Sequence, residues 1–250
     1  MLKKRVIPVV QLMGNTVVKT VNFENPRQVG DAPATVKVFS ARNADELVLI
    51  DIEASKFNKQ PNFKFIEFAA KNCFMPLTIG GGVDSFESAE RIFSAGADKV
   101  LVGTLLHNNP NEVEKIVTHY GQQAVVAGID SKKIDSDYIT YSTSGRKKSF
   151  PLKQLFNIAV ESGVGEILLT SIDCEGLMRG FDLELIQESA SLSSLPLVVN
   201  GGAGSAQDFA KCMKFDISGL AASSVFLWEG LTIKDIKTSL TKINIPVTNF

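Results

Sequence analysis

The sequence reads Glu46-Leu47-Val48-Leu49-Ile50 in its first half and Glu166-Ile167-Leu168-Leu169-Thr170 in its second half, at an offset of 120 residues. Two further pairs keep this spacing to within one residue. They are Ile79-Gly80-Gly81-Gly82 with Asn200-Gly201-Gly202-Ala203, and Gly103-Thr104 with Ser223-Ser224. A near-constant offset of about half the chain indicates an internal repeat.

Eight short apolar runs alternate with helix-like stretches along the 250 residues, which is a typical length for a (β/α)8 barrel. The runs are Val6–Gln11, Glu46–Asp51, Met75–Ile79, Lys99–Gly103, Ala124–Ile129, Glu166–Ser171, Leu195–Asn200 and Gly219–Ser223. This alternation fits a closed parallel barrel or an open doubly wound sheet, and only the barrel gives a reason for two matching halves. We therefore predict an α/β fold: one (β/α)8 TIM barrel over residues 1–250, made of two homologous half-barrels at about 1–120 and 121–250. A small hairpin is expected within residues 131–150.

Composition narrows the class of protein. Charged residues make up 21% of the chain and the formal net charge is −1, so the chain as a whole does not attract nucleic acid or an anionic membrane. The three cysteines and two histidines lack metal-ligand spacing, so we expect reduced thiols, no metal and no cofactor. No apolar run is long enough to span a bilayer, and no cleavage site follows the basic start. These features predict a cytoplasmic protein.

Glycine-rich loops follow two of the predicted strands, the third and the seventh, and the strands after them end in Gly103-Thr104 and Ser223-Ser224, which could add N–H and hydroxyl donors. Backbone N–H groups can approach an anion closely at glycine, and a following helix N-terminus adds positive charge. One predicted phosphate site contains Gly81, Gly82, Gly103 and Thr104, and its repeat-related counterpart contains Gly201, Gly202, Ser223 and Ser224. Tight strand-to-helix turns would explain a single such loop, but the repetition favours phosphate. Two sites at one barrel mouth imply a small molecule phosphorylated at both ends.

Charged residues also stand at both ends of the predicted strands. Asp130 closes the fifth strand and Asp51 the second, with Lys19 in the first loop, so a general acid or base is indicated, although such aspartates often only cap a helix. The position equivalent to Asp130 in the first half is Gln11, which cannot transfer protons as a carboxylate can. Four charges occupy the opposite, N-terminal ends of strands: Arg5, Glu46, Lys99 and Glu166. Taken alone, they favour a stabilising salt-bridge network.

Taken in order, these residues resemble, from end to end, the cyclase subunit of imidazole glycerol phosphate synthase, the HisF family. The motifs that carry the resemblance are Val17-Val18-Lys19, Asp45-Glu46-Leu47, Asp51-Ile52, Gly80-Gly81-Gly82, Ala97-Asp98-Lys99-Val100, Ile129-Asp130, Gly165-Glu166-Ile167-Leu168-Leu169-Thr170-Ser171-Ile172-Asp173, Gly201-Gly202-Ala203-Gly204 and Leu220-Ala221-Ala222-Ser223. Their order over the whole length is more specific than any single motif.

The resemblance implies a lyase (cyclase) subunit of a glutamine amidotransferase in histidine biosynthesis. In this family a glutaminase of the HisH type docks on the N-terminal face, and its ammonia travels along the barrel axis to a bisphosphorylated substrate. Asp98 matches a position facing the glutaminase, and Gly176 joins the second phosphate loop. The family's ammonia gate matches Arg5, Glu46, Lys99 and Glu166. For these four residues the resemblance outweighs the salt-bridge interpretation.

The chain departs from the family at its chemical end. Asp130 matches one catalytic aspartate, but Gln11 stands where the family has the other, and Lys19 is retained. Gly103 replaces an asparagine, Asn200 a serine and Leu177 a threonine. This pattern resembles HisF paralogues found with surface-polysaccharide (lipopolysaccharide) genes, which are thought to channel ammonia to a separate sugar amidotransferase. Local likeness to that group lies in the strand-1 sequence, Asn62-Phe63 and Cys73-Phe74-Met75-Pro76-Leu77.

Three hypotheses remain from the sequence. The first is a catalytic synthase subunit in which Asp130 works as acid and base and Lys19 closes over the ligand. The second is a non-catalytic docking and conduit protein, for which Gln11 is the discriminating feature. The third is the related aminoaldose–ketose isomerase, which has the same half-barrel repeat but does not need the four N-terminal charges as a set.

Overall fold

A computed structural model describes residues 3–192 and 194–248. The strands of this part are β1 (Arg5–Met13), β2 (Thr16–Val21), β3 (Glu24–Asp31), β4 (Leu47–Asp51), β5 (Leu77–Gly80), β6 (Lys99–Val102), β7 (Val125–Ile134), β8 (Asp137–Ser142), β9 (Lys147–Pro151), β10 (Glu166–Ser171), β11 (Leu197–Asn200) and β12 (Gly219–Ala222). The helices are α1 (Ala32–Ala41), α2 (Ala54–Phe57), α3 (Phe63–Asn72), α4 (Phe86–Ser94), α5 (Thr104–Asn108), α6 (Pro110–Tyr120), α7 (Leu152–Glu161), α8 (Leu183–Leu192), α9 (Ala206–Lys211), α10 (Ser224–Leu227) and α11 (Ile233–Lys242). Short 3₁₀ turns cover Gln122–Ala124 and Cys212–Lys214.

Eight of these strands close into a parallel barrel. Their order is β1-β4-β5-β6-β7-β10-β11-β12, and β12 returns to pair in parallel with β1. Closure pairs Arg5 with Gly219 at one end of the seam and Pro8 with Ala222 at the other. The prediction of a TIM barrel is therefore confirmed.

Side chains of the barrel strands pack into two apolar layers. The outer layer lies between the strands and the helices. Because both faces of a barrel strand are covered, all six residues of β10 are buried. The inner layer fills the barrel axis and consists of small and branched aliphatic residues: Ile7, Val9, Val48, Leu101, Val126, Leu168, Val198 and Ala221. We call this inner layer the lumen. It separates the two ends of the barrel with apolar surface.

A fully buried lysine on the last helix is linked to the start of the first barrel strand. Lys237 on α11 donates from Nζ to Asp45 Oδ1 at 2.7 Å and to Thr248 Oγ1 at 2.7 Å. Asp45 Oδ2 in turn accepts the backbone N–H of Val6 at 2.7 Å. A buried ammonium requires such partners. The last helix is thereby tied to the first barrel strand.

Two antiparallel hairpins extend the barrel at its C-terminal end. The predicted hairpin within residues 131–150 is present as β8 and β9, which continue from β7. A second one, β2 with β3, follows β1 and was not predicted. Its strand β3 is mostly exposed and reads Glu-Asn-Pro-Arg-Gln-Val-Gly-Asp, so no apolar alternation marks it. Backbone pairing with β2 holds it instead.

Other sequence expectations concern thiols and membranes. Cys73, Cys174 and Cys212 are free cysteines. In the described part of the chain, no helix has the length and apolar character needed to cross a membrane.

Candidate functional site at the two ends of the barrel

Four charged residues form a closed ring at the N-terminal end of the barrel. They lie at or beside the starts of β1, β4, β6 and β10: Arg5, Glu46, Lys99 and Glu166. Arg5 Nη1 lies 3.0 Å from Glu46 Oε2 and 3.2 Å from Glu166 Oε2. Lys99 Nζ lies 3.0 Å and 3.2 Å from the same two oxygens. The structure thus brings together the four residues that the sequence had grouped.

The ring is net neutral and mostly shielded from solvent. Both glutamates are buried, and Glu46 Oε1 accepts a further hydrogen bond from Thr78 Oγ1 at 2.6 Å. Burial alone would raise the pKa of Glu166, but hydrogen bonds and charge from Arg5, with Lys99, outweigh it and hold that pKa below its ordinary value. Every carboxylate in the ring therefore has two cationic partners.

Asp98 lies on the same face, directly before β6. Its Oδ2 accepts the backbone N–H of Leu77 at 2.8 Å, so the side chain also fixes the start of β5. The loop between α3 and β5 exposes Phe74, whose accessible fraction of 92% is unusual for a large aromatic side chain. The face beside the ring thus carries an acidic and an aromatic residue.

A cavity of about 480 Å³ opens at the C-terminal end of the barrel, which is the size of a typical small-molecule site. It is lined by residues from both halves of the chain, including the predicted Gln11, Gly81, Gly82, Gly103, Thr104 and Asp130. Asp51 also lines it, but its Oδ1 accepts the N–H groups of Glu53 and Ala54 at 2.9 and 3.1 Å. Asp51 therefore holds the loop before α2, as the capping interpretation expects.

Asp130 is the carboxylate with the most perturbed proton affinity in the cavity. Burial, and secondly the negative charge of Glu175, raise its pKa to about 7, against a hydrogen bond from Thr170 that lowers it. A group with a pKa near 7 is half protonated at neutral pH, so it can both accept and release a proton. Asp130 is suited to acid–base work.

Gln11 and Lys19 are engaged with a residue that the sequence analysis did not identify. Gln11 Nε2 donates to Glu175 Oε1 at 3.0 Å, and Lys19 Nζ donates to the same oxygen at 2.8 Å. Gln11 Oε1 accepts a hydrogen bond from Thr20 Oγ1 at 3.1 Å. Glu175 and Lys19 are each 96% or more buried. Lys19, expected to close over a ligand, is thus in a buried ion pair. The position of Glu175 directly before Gly176 was the available sequence signal.

The first predicted phosphate loop opens into the large cavity. Gly81 and Gly82 both have positive φ, and a Cβ at Gly81 would lie 2.1 Å from the carbonyl oxygen of Asp51. Glycine is therefore required there by backbone packing, whether or not an anion binds. Thr104 Oγ1 accepts the N–H of Thr143 from the β8–β9 turn at 3.1 Å. Its hydroxyl hydrogen remains available for a ligand.

The second predicted phosphate loop lines a separate, much smaller cavity of about 10 Å³, space for about one water molecule. The predicted residues there are Gly176, Gly201, Gly202, Ser223 and Ser224. Glu175 lines it too, and an added Cβ at Gly176 would lie 2.2 Å from the carbonyl oxygen of Thr20, so Gly176 packs directly against β2. In the described residues the buried Ser223 Oγ has no hydrogen-bond partner. The cavity as it stands is too small for a phosphate.

Among residues 3–192 and 194–248, no group of three or more His, Cys, Asp or Glu side chains could hold a metal ion.

Comparison with known proteins adds the family to this geometry. The family described as "Histidine biosynthesis protein" matches residues 5–232. A Leptospira interrogans protein, provisionally named imidazole glycerol phosphate synthase subunit HisF, is 40% identical over 235 residues, which cover 92% of each chain. The imidazole glycerol phosphate synthase subunit HisF of Thermotoga sp. (strain RQ2) is 36% identical over 248 residues, 99% of this chain and 98% of its own. The corresponding HisF subunit of Dictyoglomus turgidum is 37% identical over 249 residues, 99% of each chain. With a barrel whose two ends carry a charge ring and an acidic cavity, this chain belongs to the HisF family of imidazole glycerol phosphate synthase subunits.

Proposed function

We propose that this chain is the synthase subunit of a glutamine-dependent amidotransferase. It receives ammonia from a HisH-type glutaminase at the N-terminal face and uses it on a bisphosphorylated substrate at the C-terminal face. The observation that carries the proposal is the arrangement along one axis: the charge ring, the apolar lumen, then the cavity with Asp130. Such an enzyme would work in the cytoplasm, where its glutamine and phosphorylated substrates are found.

The ring and the lumen are suited to the passage of a small uncharged molecule. Within the ring each cation is paired with carboxylates. The ring can open only if the side chain of Arg5 or Lys99 moves away from a glutamate. Beyond the ring, the lumen is lined by aliphatic side chains such as those of Ile7 and Val198. An ion would lose its hydration on passing through this lining, at a high cost in free energy. Ammonia carries no charge and is small. We therefore assign the ring as an ammonia gate and the face around Asp98 and Phe74 as the glutaminase surface.

The cavity supports binding at two anionic ends. The first site, at Gly82 and Thr104, is open, and the helix α5 begins there at Thr104. The second site, at Gly202 and Ser223, is small and is also lined by Glu175, whose carboxylate is paired with Lys19. If this ion pair separates when substrate binds, Lys19 would bring a positive charge toward the ligand.

A second candidate function is favoured by the contacts of Gln11. Both polar atoms of its amide are already bonded, to Glu175 and to Thr20, so Gln11 acts as a bridge within the protein. An amide cannot accept a proton at neutral pH, and loss of one member of an acid–base pair costs about 10²–10⁴ in rate. In this alternative the chain has lost or altered its cyclase chemistry and channels ammonia to an amidotransferase acting on a surface-polysaccharide sugar.

One experiment separates the two functions. The purified protein is supplied with the histidine-pathway bisphosphate and excess ammonium, which bypasses the glutaminase, and product formation is measured. The first function predicts turnover by the parent chain. The second predicts weak or absent turnover by the parent chain, an increase in Gln11→Asp, and none in Gln11→Asp combined with Asp130→Asn, because that double variant keeps the cavity but lacks the second carboxylate. Robust turnover by the parent chain would establish the ordinary cyclase function. No gain in Gln11→Asp would contradict a site that lacks only this carboxylate.

The partner assignment has its own measurement. The co-encoded HisH-type glutaminase should bind the parent chain and should show increased glutaminase activity or formation of a stable heterodimer in size-exclusion chromatography. Absence of both would contradict an amidotransferase subunit of either kind.

A further inference from the structure

Three polar residues form a row across the top of the lumen. Asp130 on β7, Thr170 on β10 and Asn200 on β11 occupy the same level, because Thr170 pairs in register with Asp130 on one side and with Asn200 on the other. All three line the large cavity. In a strand, residues two apart point to the same side. Thr170 therefore lies above Leu168 and Asn200 above Val198, both of which belong to the lumen.

Hydrogen bonding fixes the direction of the Asn200 amide. Asn200 Nδ2 donates to Thr170 Oγ1 at 3.2 Å, so the Thr170 oxygen is the acceptor of this bond. The amide oxygen is consequently turned away from Thr170. It is buried and has no hydrogen-bond partner within the described residues, and the whole side chain of Asn200 is only 8% exposed.

A buried carbonyl oxygen without a partner within the protein is unfavourable, and in a cavity wall it is an available acceptor for a ligand that donates hydrogen bonds. Gln11 Nε2 and Lys19 Nζ do not donate to this oxygen, because both donate to Glu175 Oε1. The ligand must also suit the negative charge that Asp130 carries when ionised. A phosphate or carboxylate is excluded at this point by repulsion. A small nitrogen species with N–H donors fits both acceptors.

We propose that Asn200 Oδ1 and the Asp130 carboxyl group form a docking site for ammonium or ammonia at the exit of the lumen. The proposal rests on the proposed function, because it assigns the place where the ammonia first meets polar groups. Asn200 is the residue that recognises the nitrogen, and Thr170 is a positioning residue that orients Asn200 and Asp130. Ammonia arriving here can take a proton from the neutral Asp130 carboxyl group, and ammonium can release one to the Asp130 carboxylate. The row therefore sets whether the nitrogen species is charged before it reacts.

The test needs neither substrate nor glutaminase. The protein is labelled with ¹³C at aspartate carboxyl groups, and the Asp130 resonance, assigned with Asp130→Asn, is titrated with pH by NMR. The titration is run in ammonium chloride and in tetramethylammonium chloride at equal ionic strength. Ammonium should lower the apparent pKa of Asp130 by about half a unit when its concentration is about twice its Kd, because a bound cation favours the carboxylate. Tetramethylammonium, which has no N–H donor, should not.

Variants separate recognition from general screening. Asn200→Leu, which keeps the volume but removes the acceptor, should abolish the ammonium-specific shift, and Asn200→Asp, which retains an acceptor oxygen, should preserve or increase it. Ser189→Ala is the matched control, because Ser189 Oγ is also buried without a partner in the described residues but belongs to the outer helix α8. It should behave as the parent chain.

Two outcomes would overturn the proposal: equal shifts in both salts, or an unchanged ammonium effect in Asn200→Leu. If Asn200→Leu does not fold, as judged by circular dichroism, Asn200→Ser serves in its place and should weaken the shift. Failure here would leave the ammonium-dependent turnover described above unaffected, whereas failure of that turnover would not alter this titration. The two proposals can therefore fail separately.

Discussion

The two ends of the lumen differ in how their charged side chains are paired. At the N-terminal end, two cations and two anions satisfy one another in the ring of Arg5, Glu46, Lys99 and Glu166. At the C-terminal end, Asp130 faces the cavity with a hydroxyl partner and a neighbouring negative charge, while Lys19 is committed to Glu175. The ring holds its charges within the protein. The cavity keeps a carboxyl group whose charge depends on what binds.

Removing a cation from the ring should have the largest effect on stability. Arg5→Ala leaves two buried glutamates with Lys99 alone, and breaking a buried ion pair costs about 3–5 kcal/mol. We expect a loss of about 3 kcal/mol in urea unfolding at pH 7. Because the pKa of Glu166 is depressed, its contribution is present above the ordinary value of 4.5 and is lost as the pH falls through the folded pKa. The gap between variant and parent should therefore narrow below pH ~4.5.

An exposed ion pair provides the control for this variant. Lys115→Ala removes the partner of Glu112, three residues away on the surface of α6, where solvent screens the ion pair and its removal should leave the free energy of unfolding nearly unchanged. Equal losses in the free energy of unfolding for Arg5→Ala and Lys115→Ala would show that the ring stabilises the fold no more than a surface ion pair does. The contrast between the two ends would then disappear.

Asp130→Asn should change the free energy of unfolding in the opposite direction and by a comparable amount. The folded pKa of about 7 lies above the ordinary value of 3.8, so the stability that Asp130 contributes is present below about pH 4 and is lost as the pH rises through 7. The asparagine variant avoids this loss. Relative to the parent chain it should gain on the order of 2–4 kcal/mol between pH 4 and pH 8. Denaturant unfolding at both pH values measures the gain, and a pH-independent difference would argue against a raised pKa.

The smallest expected effect concerns partner binding. Charge reversal at Asp98 would also remove the acceptor of the Leu77 N–H, so Asp98→Asn, which keeps an acceptor oxygen, is the better test. We expect glutaminase affinity to fall by about 5- to 10-fold, as for the loss of one interface charge. Isothermal titration calorimetry measures it. Asp84→Asn, at the C-terminal end of β5 on the opposite face, should bind as the parent chain does. Equal affinities for all three proteins would place the interface elsewhere.

Much of the fold was predictable because its strands are buried on both faces. An apolar run such as Glu166–Ser171 in the sequence became β10 with the same bounds. The run Ala124–Ile129 identified β7 but stopped short of Ile134, because the strand continues into a hairpin whose outer side is partly exposed. Strand β3 was missed since its backbone pairing with β2, rather than any apolar pattern, keeps it in place.

The candidate site was predictable in its members more than in its connections. Type and spacing indicated Asp130, the glycine loops and the four ring residues. Glu175 was missed because its contacts with Gln11 and Lys19 span 164 and 156 residues of chain, and no local pattern encodes them. The same holds for Asn200, which the sequence marks only as a departure from the family. Its unpaired oxygen follows from the direction of the hydrogen bond with Thr170.

The contact between Lys237 and Asp45 has a consequence for the order of folding. The two residues are separated by 192 positions, and strand β1 finds one of its neighbours only in β12. During synthesis, the first strand therefore exposes an unpaired edge until nearly the whole chain has left the ribosome. Such late, long-range pairing is slow and leaves an edge open to aggregation. Lys237→Ala should therefore reduce the yield of folded protein in cells more than it reduces the activity of the molecules that do fold.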